Sequence, residues 1–342
     1  MKAVVYSRTG DPSVLEVVER PVPDPGPGEV LVRIAVSGVN PTDWKARQGD
    51  GSGAPPRSGW QVPNQDGAGV IEAVGRGVDP VLVGERVWIW EAAWQRPWGT
   101  AAEYTTVPVR QVKRLGPTSF DLGASLGIPF LTAHRCLTVG ETMPGHLDVG
   151  ILTDRVVLVQ GGAGAVGNAA IQLARWADAT VIATVSSPEK AQLAAAAGAS
   201  LVVNYRQQDV VTEVKKIAPH GVDVIVEVAA ARNAPTDVQV LGPNGTVAIY
   251  ADDGGTGQVT LPIRAMMTAN ARWQFVLVYT MQLKAKAQAV EDVATAAIAG
   301  AIRAGSEAGL PLHFYPLEET AAAHTAVQNH TVGKVLITTT EW

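Results

Sequence analysis

The sequence has almost no cysteine and no excess of positive charge. Its 342 residues include one cysteine, Cys136, which excludes an internal disulfide and any multi-cysteine metal site. The formal net charge of −5 disfavours nucleic acid or an anionic membrane as the main partner. No run of about 18 apolar residues predicts a membrane span, and the first residues lack the apolar segment of a signal peptide. We therefore expect a soluble, cytoplasmic protein.

The order of strand-like and helix-like segments predicts two domains. Residues 1 to about 125 read as short strands broken by glycine and proline, which favours a β-rich domain. After that point, apolar strands such as "RVVLVQ", "ATVIATV" and "VDVIVEV" alternate with helical segments. This alternation predicts an α/β fold, in which a parallel sheet is covered by helices on both faces. Strand-like texture returns after a long Ala-rich helix, and we expect this tail to pack on the first domain.

The stretch "GGAGAVG" is the strongest local motif. Gly162, Gly164 and Gly167 fit the pattern G-x-G-x-x-G between a predicted strand and the predicted helix "AVGNAAIQLARW". Absent side chains let the backbone approach a pyrophosphate, which the positive end of the helix attracts. A glycine-rich turn without a ligand is the alternative, but the strand–helix alternation around the motif favours a dinucleotide.

The segment "ATVSSPEK" favours NADPH over NADH as that dinucleotide. An NAD site usually places Asp or Glu at the end of the second strand, whereas this chain has Ser186, Ser187 and Lys190 there. Hydroxyl and ammonium groups suit a 2′-phosphate, which a carboxylate would repel. The serines also read as a helix cap before Pro188. Both readings can hold, because one serine is enough for the cap.

Several segments in order resemble the medium-chain dehydrogenases/reductases, specifically their zinc-free quinone oxidoreductase branch. The resemblance implies a GroES-like β-rich catalytic domain at residues 1–127 and 285–342, and a Rossmann domain with a doubly wound parallel sheet at 128–284. The matching segments are "SGVNPTDWKARQG", "QDGAGVIEAVG", "VGERVW", "GTAAEY", "LGIPFLTAHRCL", "VQGGAGAVG", "GASLVVNYR" and "TVGKVLI".

The resemblance also implies that no catalytic zinc is bound. Zinc-dependent members of the family carry cysteine, histidine and cysteine where this chain has Asn40, Gln65 and Ile128. An amide or an isoleucine is not a normal zinc ligand. The six histidines are scattered without ligand spacing, and we expect most of them at the surface.

The resemblance assigns the cofactor contacts. Tyr205 is expected beside Ser186 and Lys190 at the 2′-phosphate, and Thr132 beside the nicotinamide. The full expected set is Asn40, Thr132, Gly162, Gly164, Ala165, Val166, Gly167, Ser186, Lys190, Tyr205, Ala229 and Tyr250.

The expected catalytic residues are Asn40, Lys45 and Thr132. Without a metal, the oxyanion of a reduced acceptor needs hydrogen-bond donors or positive charge, which the Asn40 amide and the Lys45 ammonium could provide. Related reductases have a tyrosine at or near the position of Lys45, and its absence here weakens an enoyl-thioester reductase assignment. A solvated surface lysine is the alternative reading of Lys45.

The tryptophan-rich segment "WIWEAAWQRPWGTAAEY" predicts the substrate contacts. We expect Trp94 and Trp98, together with Trp44, to contact the substrate, with stacking on a planar aromatic acceptor. A loop that packs on itself is the alternative.

These features predict an NADPH-dependent quinone oxidoreductase that transfers hydride directly to the quinone. Reduction of activated C=C bonds in enones or alkenals is the second reading. A third is a non-enzymatic protein that binds NADPH structurally or binds RNA, which the acidic charge disfavours. If the apolar strand "RWQFVLVY" lies at a sheet edge, its exposed backbone groups would favour pairing with another subunit. The family commonly dimerises there, and we expect a homodimer.

Overall fold

The structure, a computed structural model, describes residues 1–340 and divides them into two compact units. Unit 1 comprises Met1–Ile128 and the residues from Leu312 onward, and unit 2 comprises Pro129–Pro311. Among residues 1–340, no helix is both long enough and apolar enough to cross a membrane.

Unit 1 is built from short strands, as its glycine- and proline-punctuated sequence predicts. Strand β3 is its centre: β4 pairs along one side, while β6 and the late strand β15 share the other. Val30, Val32 and Ile34 of β3 alternate with residues on the other face and are fully buried in the core. The elements before the unit boundary are β1 (Lys2–Val5), β2 (Glu16–Glu19), β3 (Glu29–Val39), α1 (Pro41–Gln48), β4 (Asp66–Val74), β5 (Arg86–Ile89), β6 (Tyr104–Pro108), β7 (Val112–Arg114) and α2 (Phe120–Thr138), which contains the boundary.

Unit 2 is a six-stranded parallel sheet with the strand order β10-β9-β8-β11-β12-β13. This is the predicted doubly wound sheet, and Leu158, Ile182 and Ile225 from three of its strands are fully buried in one core cluster. Its elements are β8 (Val156–Val159), α3 (Ala165–Trp176), β9 (Thr180–Val185), α4 (Pro188–Ala196), β10 (Leu201–Asn204), α5 (Val210–Ile217), β11 (Val222–Glu227), α6 (Ala230–Val240), β12 (Leu241–Ile249), α7 (Ile263–Ala269), β13 (Arg272–Phe275) and α8 (Leu283–Ile298).

The chain then returns to unit 1 through β14 (Leu312–Pro316), α9 (Thr320–Gln328) and β15 (Lys334–Thr338). The predicted return at residue 285 differs from the observed one at 312. The reason is α8, whose alanine- and valine-rich face, including Ala289, Val293 and Ala296, is buried within unit 2.

Candidate functional site

The glycine loop of unit 2 joins β8 to α3 and leaves no room for side chains. Gly161 has φ +74°, a left-handed backbone that glycine adopts without strain. A Cβ on Gly167 would lie 2.3 Å from the Gly161 carbonyl oxygen, so α3 begins directly against the loop. Gly164 is the N-cap residue of α3, and Ala165 and Val166 form its first turn. The predicted loop residues therefore surround one helix N-terminus.

Two polar side chains that the sequence analysis did not select tie this loop to β9. The Thr184 hydroxyl donates to Gln160 Oε1 at 2.6 Å and accepts the Gly161 N–H at 3.3 Å. The Thr184 carbonyl accepts the Gly162 N–H at 2.9 Å. Gln160 and Thr184 are almost fully buried, so they support the loop from beneath.

The ends of β9 and β10 lie side by side and bring together two of the residues expected at a 2′-phosphate. Tyr205 donates its N–H to the Val185 carbonyl at 3.0 Å, which places it beside Ser186. The Ser187 hydroxyl accepts the Lys190 N–H at 3.3 Å and caps α4. The capping reading therefore applies to Ser187, and it leaves Ser186 outside the cap. No carboxylate occupies the end of β9.

A cavity of about 380 Å³, here called the strand-tip cavity, opens at the carboxyl ends of the strands of unit 2. Of the predicted cofactor residues, Tyr205 and Ala229 line it. The others are outside its lining: Asn40, Thr132, Gly162, Gly164, Ala165, Val166, Gly167, Ser186, Lys190 and Tyr250. Sequence reasoning missed Gln160, Thr184 and Arg232 in its wall. Its lining residues are Gln160, Gly161, Thr184, Tyr205, Gln208, Asp209, Val210, Val211, Val228, Ala229, Arg232, Asn233 and Thr236.

Tyr250 and Ala229 also lie at strand ends, while Thr132 lies on α2. Tyr250 donates its N–H to the Glu227 carbonyl at 3.1 Å, which places it beside the end of β11. Burial raises the pKa of the Tyr250 phenol well above its usual range, and the nearby Cys136 thiol adds to this. Thr132 is 6% exposed. All three residues belong to unit 2.

In unit 1, Asn40 lies in a buried polar network at the end of β3. Its amide Nδ2 donates to Asp66 Oδ2 at 2.7 Å, and its Oδ1 accepts from Lys334 Nζ at 2.7 Å. The register explains this meeting: β15 pairs antiparallel with β3, so Lys334 falls opposite Asn40, and β4 begins at Asp66 on the other side. All three side chains are buried. The sequence analysis selected only Asn40.

Burial and neighbouring charges shift the pKa values of the two carboxyl groups in and beside this network, Asp66 and Asp43. Burial raises the pKa of Asp66, while the Lys334 charge opposes the rise. Burial and the Asp66 charge raise the pKa of Asp43 to about 8. Asp43 Oδ2 accepts the Asn40 N–H at 2.7 Å, and its buried Oδ1 accepts from no donor in the described chain. Asp43 therefore carries a proton near neutral pH, and Asp66 and Lys334 form the ion pair.

The predicted substrate residues of unit 1 have different surroundings. Trp98 packs edge-on against Trp60, which lies outside the tryptophan-rich segment, with ring centroids 4.9 Å apart. Trp94 is 36% exposed in the same loop. Lys45 is exposed on α1, and its Nζ lies 5.7 Å from the ring centroid of Trp44. This position matches the surface reading of Lys45.

The comparisons with known proteins agree with both units. The model described as "Alcohol dehydrogenase GroES-like domain" matches residues 26–117, and that described as "Zinc-binding dehydrogenase" matches residues 165–295. A quinone oxidoreductase of Lama guanicoe is 32% identical over 98% of this chain and 97% of its own length.

The chain belongs to the quinone oxidoreductase family of medium-chain dehydrogenases/reductases.

Two solved structures are similar to this protein along nearly their whole length. A mycobacterial protein complexed with NADPH is 27% identical, with a TM-score of 0.80 and coverage of 99% of both chains. A 2-haloacrylate reductase is 25% identical, with a TM-score of 0.78 and coverage of 100% of both chains. The predicted GroES-like and Rossmann fold classes are confirmed, and the protein is a medium-chain oxidoreductase.

The zinc named in one matched family model does not fit the donors of unit 1. The Asn40 amide donates one N–H to Asp66, and its oxygen accepts from Lys334. Gln65 Oε1 accepts the Ala93 N–H at 3.1 Å. At Ile128 the backbone N–H donates to both oxygens of Asp66 at 3.0 Å. Within residues 1–340, no group of three or more His, Cys, Asp or Glu side chains is arranged to hold a metal.

The histidines follow the surface expectation in part. His146, His220 and His330 are exposed and His313 is half-buried, but His134 and His324 are fully buried. His134 Nε2 is bonded to Asp292 at 2.7 Å, and His324 Nε2 to the Asn64 amide oxygen at 2.9 Å. Both buried rings have structural partners.

Proposed function

We propose that the protein is an NADPH-dependent quinone oxidoreductase that needs no zinc. The observation that carries the proposal is the strand-tip cavity, which adjoins the glycine loop and the ends of β9 and β10. The absence of a carboxylate at the end of β9 favours the 2′-phosphate of NADPH over the free 2′-hydroxyl of NADH. The NADPH complex of the mycobacterial relative supports the same coenzyme.

Ser186, Lys190 and Tyr205 are the residues that we assign to the 2′-phosphate. The glycine loop and the start of α3 would hold the pyrophosphate, and Thr132, Ala229 and Tyr250 the nicotinamide end. The test is the dissociation constant of NADPH and of NADH, measured by fluorescence titration. Lys190→Ala is expected to raise the dissociation constant of NADPH about tenfold, which corresponds to one lost charge-assisted hydrogen bond.

Lys215→Ala is the matched control for Lys190→Ala, because Lys215 is an exposed lysine on the neighbouring helix α5. It should leave both dissociation constants unchanged. An unchanged NADPH/NADH preference in Lys190→Ala would remove Lys190 from the phosphate site.

Zinc independence is supported by the hydrogen bonds at Asn40, Gln65 and Ile128, which occupy the three positions where zinc-dependent members carry ligands. Bound NADPH supplies the hydride, and the chain must then stabilise the oxyanion of the reduced acceptor. We assign this role to Asn40, whose amide has a second N–H beyond the one given to Asp66. The Lys334 ammonium, 2.7 Å from the Asn40 oxygen, polarises that amide toward donation.

Spectroscopic NADPH oxidation against ortho-quinones, para-quinones and enones tests the reaction. We expect quinones to be the faster acceptors, because solvent can protonate the hydroquinone, and EDTA to leave the rate unchanged. Trp94→Ala tests stacking on the acceptor: a higher KM for aromatic quinones is expected, and an unchanged KM would contradict stacking. NADPH oxidation restricted to a zinc-loaded protein would contradict the proposal.

Reduction of an activated C=C bond is the second candidate function, and the similarity to a 2-haloacrylate reductase favours it. This reaction needs a proton donor at the α carbon, whereas a quinone does not. Faster turnover of enones or 2-haloacrylates than of any quinone would make it the better assignment. A salt-dependent RNA mobility shift without NADPH oxidation would instead favour the non-enzymatic reading.

We also propose a homodimer formed along β13. This strand is the edge of the sheet of unit 2, so one row of its backbone groups has no strand partner within the described chain. Phe275 is 67% exposed, Leu277 after β13 is also exposed, and so are Ile263 and Met267 on α7. Light scattering during size-exclusion chromatography should give twice the chain mass.

A further inference from the structure

We propose that Glu227 and Asp237 share one proton and thereby hold the walls of the strand-tip cavity in position for NADPH. The inference rests on the proposed placement of NADPH in this cavity, and it makes both carboxyls positioning residues. Neither residue lines the cavity, and neither was selected from the sequence.

Glu227 ends β11 and is fully buried. Its Oε1 accepts the Ala229 N–H and also an Asn233 Nδ2–H at 3.0 Å, and its Oε2 lies 3.2 Å from the same nitrogen. Ala229 and Asn233 are both in the cavity wall. Glu227 therefore fixes the turn from β11 into α6.

Asp237 lies on α6 and is also fully buried. Its Oδ1 accepts from Gln160 Nε2 at 3.0 Å, while its Oδ2 accepts from no other donor in the described chain. Asn233, whose side chain contacts both Glu227 oxygens, is one helical turn before Asp237 on α6, so the Asp237 carboxyl is on the face of α6 that Glu227 contacts. Two ionised carboxylates so placed would repel each other in a dry environment, and one proton between them removes the conflict.

The shared proton connects the segments that follow β8 and β11, two neighbouring strands whose ends line the cavity. The Asp237 contact orients the Gln160 amide, so that Gln160 Oε1 is left to accept from Thr184. Thr184 in turn accepts the Gly161 N–H at the start of the glycine loop. A continuous chain of polar contacts thus runs from Gly161 through the carboxyl pair to Ala229, and both of these residues line the strand-tip cavity.

Among the charged and titratable groups around the cavity, the Glu227–Asp237 pair is the one that we expect to lose a proton as pH rises. Burial raises the pKa of both carboxyls, and the Glu227 charge raises that of Asp237 further. Tyr250, from the end of β12, also faces Glu227, but burial keeps its phenol neutral, with Cys136 and Asp253 acting on it in the same direction. Gln160 and Thr184, from β8 and β9, carry no charge. Arg232 of α6 lines the cavity and donates to the Gly254 carbonyl at 3.3 Å.

Asp237→Asn replaces the mobile proton by fixed N–H groups without a change of shape. The Asn side chain can still accept from Gln160 and can donate to Glu227 at every pH. The experiment measures the dissociation constant of NADPH by fluorescence titration at a series of pH values from weakly acidic to alkaline.

For the wild-type protein, the dissociation constant should rise above the pKa of the pair by up to tenfold per pH unit, since one proton is lost. The dissociation constant of Asp237→Asn, divided by that of the wild type, should fall steadily over the same pH range, because the variant has no shared proton to lose. Asp154→Asn is the control, because Asp154 is an exposed carboxylate in unit 2 with a left-handed backbone that asparagine tolerates. It should follow the wild type.

Thermal unfolding of the coenzyme-free proteins gives a second readout. A carboxyl whose folded pKa is raised binds a proton that the unfolded chain has lost, so its contribution to stability falls as pH rises. The melting temperature of the wild type should therefore fall relative to that of Asp237→Asn as pH rises. Glu227→Gln, which can donate from its amide to Asp237, should behave like Asp237→Asn.

The outcomes separate the two proposals. Parallel pH profiles for the wild type and both variants, in binding and in unfolding, would overturn the shared proton. Failure of every protein to bind NADPH, with the difference in unfolding profiles intact, would overturn the coenzyme placement and with it the positioning role. If Asp237→Asn does not fold, Glu227→Gln decides by the same profiles.

Discussion

Lys334→Met is expected to destabilise unit 1 strongly, because it leaves the Asp66 carboxylate buried without a countercharge. The side chains of Lys334 and Asp66 are 1% and 0% exposed, and Nζ lies 3.6 Å from Oδ2. At an effective dielectric constant of about 20, that distance corresponds to roughly 4–5 kcal/mol of attraction. Loss of one partner of a buried pair typically costs about 3–5 kcal/mol. We expect a loss in this range.

Asp66→Asn is expected to cost less, because Asp43 can replace the missing charge. Burial still raises the pKa of Asp43 in this variant, but the added repulsion from Asp66 disappears and the Lys334 attraction remains. Asp43 should then ionise and pair with Lys334. The double variant Lys334→Met/Asp66→Asn should be more stable than the sum of the single effects predicts, with a coupling of about 2–3 kcal/mol.

Urea unfolding followed by tryptophan fluorescence measures these effects. Six tryptophans lie in residues 1–128 and two in residues 129–311, so the signal reports mainly on unit 1. Arg114→Met, which breaks an exposed ion pair with Glu85 of 3.0 Å, is the control and should cost less than about 1 kcal/mol. A Lys334→Met loss as small as the control's, or strict additivity in the double variant, would refute the reasoning.

Three further predictions concern other parts of the molecule. Gly167→Ala should abolish NADPH binding and lower the folding stability by about 1–3 kcal/mol, because its Cβ would lie 2.3 Å from the Gly161 oxygen. Gly145→Ala is the control, since its Cβ would have no atom within 4 Å, and it should change neither the binding titration nor the urea midpoint. Asp43→Asn should gain melting temperature relative to the wild type as pH rises from about 4 to about 8, since the raised pKa of Asp43, about 8, makes the wild type lose stability across that window; a constant difference would contradict a buried protonated Asp43. Phe275→Lys should give the mass of a single chain in light scattering, and a persistent dimer would locate the interface away from β13.

Local patterns predicted the elements around the glycine loop well. The helix "AVGNAAIQLARW" corresponds to α3 residue for residue, because glycine, helix start and apolar spacing are all encoded within a few positions. The predicted strand "VDVIVEV" likewise corresponds to β11, which ends one residue earlier. Helix α6 was missed, because Pro235 lies inside it and its N-cap, Ala229, makes no side-chain cap.

The polar networks could not be predicted, because their members are distant in sequence. Lys334 and Asn40 are 294 positions apart, and only the pairing of β15 with β3 brings them together. Gln160 and Asp237 are 77 positions apart and meet only after β8 and β11 become neighbours. One signal was present: Glu227 directly follows the apolar buried run 224–226 at the end of β11, and a buried acid there requires a partner.

The most direct test of the proposed reaction is the oxidation of NADPH by a para-quinone with EDTA-treated protein, using coenzyme carrying deuterium at the nicotinamide C4. Direct hydride transfer predicts one hydroquinone formed per NADPH, a rate equal to that of untreated protein, and slower turnover with the deuterated coenzyme. Oxidation that stops after EDTA treatment and returns with added Zn²⁺, or no oxidation by any quinone, would contradict it.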